Sequence, residues 1–200
     1  MASPAATATD ERRRIVNRLR RLAGQIRGLR TMVANDKGCE EVLTQLRAAK
    51  SALNQVGLRV IAYTIKSCAP AEDETSDVVV TDALGRFLAY ARPGSPNDVP
   101  GVPIHDGLVA DAASERDLAA QLLGELEATI AHLEQLVGDD LVCDDVLPVV
   151  IEAKNLLDRV GLQVIAHAMR TCLAPRAGAT REEVVDDAMA VFLRNVDCVR

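Results

Sequence analysis

The sequence predicts an all-α chain made of two tandem three-helix repeats, and three observations carry that prediction. First, the stretch from Cys39 to Cys68 returns 104 residues later from Cys143 to Cys172, with thirteen of thirty aligned positions identical, among them both cysteines, Lys50/Lys154 and Val56-Gly57-Leu58 against Val160-Gly161-Leu162. Second, apolar residues recur at spacings of 4, 3, 4, 3, 4 in long segments of both halves, which is the seam of a helix packed in a bundle. Third, aromatics make up only 2% of a chain that is 48% hydrophobic. A core of Leu, Val, Ile and Ala suits helix-on-helix packing better than a β-sandwich.

Residues 1–10 are small and polar and read as a disordered tail. Repeat 1 occupies 11–92. Its first helix, over 11–34, has the seam Ile15, Leu19, Leu22, Ile26, Leu29 and Val33. Asn35-Asp36 supplies capping chemistry for a second helix, with Gly38 at the junction. That helix carries Val42, Leu46, Ala49, Leu53, Val56 and Val60, and Ala69-Pro70 stops it near Cys68. A shorter third helix is expected over 76–92 on the pattern of Val80, Leu84, Phe87, Leu88 and Ala91. Residues 93–112 hold four of the eight prolines and form a linker long enough to let the second copy fold back on the first.

Repeat 2, over 113–200, keeps the framework: Ala119, Leu123, Leu126, Ile130, Leu133 and Val137, then Val146, Val150, Ala153, Leu157, Val160 and Val164. Pro148 stands where repeat 1 has Thr44, and proline is tolerated in the first helical turn. The helix is therefore expected to begin a few residues after Cys143, leaving that thiol in a turn. A final helix over 180–195 carries Val184, Val185, Ala188, Val191 and Phe192, and Cys198 lies in the tail beyond it.

No basic leader with an apolar core opens the chain, and no run approaches the 18 or so apolar residues of a membrane span. The expectation is a soluble, cytoplasmic protein without membrane contact. Five cysteines, four of them at mirrored positions, point to reactive or metal-binding thiols rather than a disulfide framework. The net charge of −6 divides unevenly. Residues 1–92 carry 15 Lys+Arg against 10 Asp+Glu, and the remainder 8 against 19. Repeat 1 alone has the charge of a nucleic-acid binder.

Twenty-nine residues of straight helix separate Cys39 from Cys68 by roughly 44 Å, so they cannot react with each other within one copy. If the long helix of one copy packs antiparallel on that of another, the pairs become Cys39 with Cys172 and Cys143 with Cys68. A thiol at a helix N-terminus feels the positive end of the dipole, which makes Cys39 and Cys143 the candidate nucleophiles and Cys172 and Cys68 their resolving partners. Lys37 stands beside Cys39 and Arg170 near Cys172, whereas Asp139, Asp140, Asp144 and Asp145 surround Cys143. Cys39 is therefore expected to be alkylated faster than Cys143. The alternative is that the four are small apolar side chains at helix ends.

In the first helix Arg13, Arg14, Arg18, Arg20, Arg21 and Arg27 lie off the apolar seam and form a basic stripe, with few acids between 12 and 34. Such a stripe can follow a phosphate backbone with steep salt dependence; the alternative is a solvated helix face. The equivalent positions in repeat 2 are Asp117, Leu118, Leu122, Gly124, Glu125 and Ala131, so one chain offers one basic face. Arg14, Arg18 and Arg21 are the leading DNA contacts, and a two-fold operator would require two chains.

Arg21-Leu22-Ala23-Gly24-Gln25-Ile26-Arg27-Gly28, then Cys39-Glu40-Glu41-Val42-Leu43-Thr44-Gln45-Leu46 and Val56-Gly57-Leu58, resemble the signature of the CsoR/RcnR/FrmR family of bacterial repressors. The likeness covers 11–92 strongly and 115–196 more weakly, where Ala128-Thr129-Ile130-Ala131-His132 replaces the Gly-Gln-x-x-Gly portion. It implies three-helix protomers, antiparallel dimers paired into tetramers, and operator DNA held by basic helical faces and released by inducers at the dimer interface. For this chain that means a helical-bundle pseudo-dimer formed by the two copies and a pseudo-tetramer of two chains.

Copper-sensing members of that family have a cysteine, a histidine 25 residues later and a second cysteine four further on. Thr64 and Ala168 hold those histidine positions here, and His167 is one residue away, with Tyr63 as its counterpart. Nickel- and formaldehyde-responsive members use the same histidine and are disfavoured with it. The remaining Cys/Cys pair is similar to the persulfide-sensing branch, in which persulfide or sulfane-sulfur donors drive di- or polysulfide links between protomers.

The resulting expectation is a tandem repressor that needs no cofactor and is induced by reactive sulfur through Cys39, Cys172, Cys143 and Cys68. The alternative is Cu(I) held by the same thiolates, since soft sulfur ligands suit it. A thiol sulfur-transfer enzyme is a further rival. Against it, no histidine or acid stands at a spacing that would serve as general base, and no phosphate-binding glycine loop occurs.

Overall fold

The computed structural model describes residues 4–67, 81, 85, 88, 112–139, 143–173 and 178–195. The elements are α1 (Pro4–Ala34), α2 (Cys39–Ser67), α3 (Ala112–Asp139), α4 (Cys143–Leu173) and α5 (Arg181–Asn195), with no strand among the described residues. The all-α prediction holds. Every seam residue expected in the four long helices is buried, none more than 7% exposed. At about 1.5–3 kcal/mol for each buried Leu, Ile or Val, this stripe is the main reason the helices associate.

The four long helices close a ring in which α1 packs on α2 and α3, and α4 packs on α2, α3 and α5. All cross-repeat pairs run antiparallel. Arg20 meets Glu134, Arg30 meets Glu127 and Asp36 meets Arg116 along α1 and α3. Lys50 of α2 meets Asp158 of α4 midway along the second pair. An approximate two-fold axis, taking each residue to the one 104 positions away, relates the repeats. Arg20 against Glu134 is mirrored by Gly124 against Arg30, whose Nη1 lies 4.0 Å from where a Cβ on that glycine would stand. The two copies of one chain thus form the pseudo-dimer.

Four local expectations are revised. The tail expected over 1–10 is helical from Pro4, because proline suits a first helical position and the alanines after it favour helix. Asn35-Asp36 closes α1 rather than opening α2. Asp36 adopts φ 52°, and the amides of Lys37 and Asp36 bond the carbonyls of Met32 and Val33 at 3.0 and 3.2 Å, a Schellman cap with aspartate in the place of glycine.

Gly38 starts α2, its carbonyl accepting from Glu41 and Val42, so Cys39 is the first helical residue. Pro148 does not delay α4, which begins at Cys143 and contains it. The proline is exposed, so its missing hydrogen bond falls on the solvent side, while Val146 and Val150 anchor the turn in the core.

Of the expected helix over 76–92, residues 81, 85 and 88 are helical, and Leu88, placed on its apolar pattern, is 64% exposed. Its other residues lie outside those described, as do Cys68, Cys198 and the linker up to Asp111. The last helix begins one residue past its N-cap Thr180, which forms a capping box with Glu183. The Glu183 amide donates to Thr180 Oγ1, and the Thr180 amide donates to Glu183 Oε2 at 2.8 Å. That backbone donor, with the threonine hydroxyl, holds the Glu183 carboxyl below its ordinary pKa. No described helix is long and apolar enough to cross a membrane.

Candidate functional site

The antiparallel pairing of α2 and α4 brings the N-terminus of one against the C-terminal part of the other, and a cleft opens there. Val33, Asp36 and Lys37 from the α1–α2 corner, Cys39 and Val42 from α2, Glu115, Arg116 and Ala119 from α3, and Gln163, Val164 and His167 from α4 line it. Cys39 is half-buried in this cleft. Lys37 lies beside it as the sequence implied, and Arg116 adds a second cation from the other repeat. Cys143 opens α4 and Cys172 lies near its end, but their side chains are outside the described residues.

A carboxylate forms the back of the cleft. Glu115, in the first turn of α3, is fully buried. Its Oε1 accepts from Nε and Nη2 of Arg170 at 3.0 and 2.7 Å, which leaves Oε2 facing Nδ1 of His167 at 3.7 Å. His167 and Arg170 stand three residues apart on α4, so both side chains reach the same face. Arg170, two residues before Cys172, pairs with Glu115. Among the described residues no three His, Cys, Asp or Glu side chains form a metal-holding group. The two donors of soft-metal type that share the cleft are Cys39 and His167.

Sequence reasoning had set His167 aside because it is one position from the expected histidine. On the folded helix it nevertheless lines the cleft with Cys39. Glu115 was missed, although a signal existed: it falls one turn before Ala119, on the apolar seam of its helix, where a charged side chain needs a partner.

The arginine stripe divides in two. Arg20 and Arg27, with Arg30, turn toward α3. The Arg20 Nε lies 2.6 Å from Glu134, Arg27 Nε 3.7 Å and Arg30 Nη1 2.9 Å from Glu127. Arg13 and Arg14 pair with Asp10 one turn back, both at 2.8 Å. Arg18 donates to the Gln55 side-chain oxygen at 2.6 Å and Arg21 to the carbonyl of Asn17 at 3.2 Å. Among the described residues, neither Arg18 nor Arg21 meets a carboxylate. The scarcity of acids within α1 therefore did not mean uncompensated charge, because repeat 2 supplies Glu127 and Glu134 across the interface.

The model of the metal-sensitive transcriptional repressor family matches the chain twice, over residues 11–88 and 117–194. The copper-sensing transcriptional repressor CsoR of Bacillus subtilis is 33% identical over 87 residues, 42% of this chain and 86% of that protein. The copper-sensing transcriptional repressor RicR of Mycobacterium tuberculosis is 40% identical over 60 residues, 30% of this chain and 62% of that protein. No solved structure matches. Two family matches, falling on two helical hairpins that pair about an internal two-fold axis, identify the chain as a tandem member of the metal-sensitive transcriptional repressor (CsoR) family.

Proposed function

We propose that the chain is an operator-binding repressor released from DNA by Cu(I) captured at the Cys39 cleft. The observation that carries this reading is that Cys39 and His167 line one cleft, joined across the two repeats. A thiolate and an imidazole are donors that suit soft monovalent copper. The buried Glu115, anchored by Arg170, keeps its other oxygen 3.7 Å from the imidazole Nδ1, beyond hydrogen-bond distance, and so sets a negative charge behind the ring. The names of the two relatives point the same way. Operator contact falls to α1 through Arg14, Arg18 and Arg21, which stand at i, i+4 and i+7 on one face.

A second reading, induction by sulfane sulfur, is favoured by the place of Cys39 at a helix N-terminus in a cleft that Lys37 also lines. In it the Cys39 thiolate takes the terminal sulfur of a persulfide donor and releases the donor thiolate. The Cys172 thiol then displaces hydrogen sulfide and closes a disulfide.

One experiment separates the two. Reduced full-length protein is bound to DNA selected from a random duplex pool, exposed to Cu(I) or to a persulfide donor, and followed by anisotropy and intact mass. Cu(I) sensing gives release without covalent change, weakened in His167→Ala. Sulfur sensing gives release only with a sulfur adduct or disulfide, unaffected by His167→Ala. DNA affinity indifferent to both agents would refute sensing at this cleft.

A further inference from the structure

The two repeats present nearly the same apolar seam to each other. Five of the six seam positions of α1 carry the same residue in α3, and five of six agree between α2 and α4, the exceptions being Ile15/Ala119 and Leu46/Val150. Seams so alike pack a first repeat against another first repeat about as well as against a second. Two chains could therefore exchange partners, one bundle holding both first repeats and the other both second repeats. Apolar packing does not choose between the two assemblies.

The charges along the α1–α3 contact do choose. Midway along it the cations stand on α1 and the anions on α3: Arg20 meets Glu134, and Arg27 and Arg30 meet Glu127. The 104-residue repeat gives the contents of the exchanged bundles. Arg30 and Ala23 stand at the positions of Glu134 and Glu127, so two first repeats would set Arg20 of each against Arg30 of the other. Glu134 stands at the position of Arg30, so two second repeats would set Glu127 of each against Glu134 of the other. The remaining cross-repeat pairs are indifferent. Asp36 would meet Arg12 in place of Arg116, and the contact of Asp158 with Lys50 would pass to Lys154 in equal number.

We infer that this charged edge is a recognition surface, by which the first repeat accepts the second and rejects a copy of itself. Charges flanking an apolar helix seam select partners by repelling the wrong one as well as by attracting the right one. The arginines are 49–64% exposed, so any single pair shifts the balance by about 5-fold or less. Exchange loses all of these attractions and adds like-charge contacts in both bundles. Together these favour unlike pairing by on the order of 100-fold. Each bundle then keeps one basic α1 beside one acidic α3.

The test uses full-length chains and thermal melts at low and high salt. Glu127→Arg with Glu134→Arg makes both edges basic, and Arg20→Glu with Arg27→Glu and Arg30→Glu makes both acidic. Each variant alone should lose on the order of 10-fold in its folded-to-unfolded ratio at low salt, and less at high salt. All five substitutions in one chain should restore the wild-type melt. The basic and acidic chains, unfolded and refolded together in equal amounts, should pair with each other. Native mass spectrometry should then show mixed two-chain species above the half that random association gives.

Variants that melt like wild type would overturn the inference, as would a five-fold variant no more stable than its parents. So would mixed species at the random share. If either variant fails to fold alone, the mixture decides: folding regained on mixing supports the recognition surface, and no regain overturns it.

Discussion

Lys50 and Asp158 meet near the middle of the α2–α4 pair, where Lys50 is 9% exposed. The internal two-fold axis maps this pair onto Lys154 and Asn54, so one repeat has an acid where the other has its amide. Burial is the largest influence on Asp158 and raises its carboxyl pKa, with the attraction of Lys50 and then Lys154 offsetting part of the rise. A carboxyl whose folded pKa exceeds its unfolded value keeps its proton longer in the folded state. Its contribution to stability is therefore greatest below the unfolded pKa and falls as pH climbs through the ordinary carboxylate range, from about 4, to the raised folded value.

Asp158→Asn copies the arrangement of the other repeat. It is expected to flatten this part of the stability–pH profile and to leave the neutral-pH melting temperature unchanged or higher. Lys50→Met removes the cation and leaves the acid, at a cost of about 3 kcal/mol at neutral pH. Thermal melts from acid to neutral pH measure both. An Asp158→Asn protein with the wild-type pH slope would show that the buried acid does not set it.

At the scale of the helix, α1 has two charged edges with different fates. Arg20, Arg27 and Arg30 are met by Glu127 and Glu134 of α3, while Arg18 and Arg21 bond a neutral amide and a carbonyl. The arginines of the first edge are 49–64% exposed, and exposed ion pairs contribute about 1 kcal/mol or less. A DNA phosphate can therefore compete for them, and the two glutamates work against it. Glu127→Gln combined with Glu134→Gln should raise operator affinity and steepen its salt dependence by about 0.9 in log–log slope for each arginine that turns to a phosphate. Arg18→Ala and Arg21→Ala should each weaken binding more than Arg20→Ala. Equal losses at all three positions, with no effect of the glutamine pair, would return the stripe to a uniform surface.

For the whole molecule, the pseudo-dimer leaves apolar side chains at equivalent places on its two halves. Leu58 is 47% exposed and Leu162, its counterpart 104 positions on, is 45% exposed. Val185, Met189 and Leu193 extend the apolar surface along α5 at i, i+4 and i+8. Paired leucines related by the internal axis suit a second chain stacked on the same axis. Sedimentation is expected to give twice the 21.4 kDa chain mass, and Leu58→Glu with Leu162→Glu is expected to give the single-chain mass with helix content kept. A wild-type protein that sediments as one chain at micromolar concentration would end this expectation.

The sequence alone determined the repeat, the four long helices and every seam residue in them, because a buried helix face leaves a 3.6-residue period that survives in one dimension. It also located Cys39 at a helix start, since Gly38 and the seam together mark that boundary. The cleft was decided by the tertiary structure. Glu115 and Arg116 line the cleft of Cys39 from another hairpin, so no local spacing records their approach, and Arg170 bonds Glu115 across the two long helices of repeat 2. His167 was set aside on a spacing rule from single-repeat relatives, but helix pairing, not residue count, decides which side chains line a cleft. The compensation of Arg20 and Arg27 was hidden for the same reason: their counter-charges lie a hundred or more residues away, and only the antiparallel register of α1 and α3 brings them together.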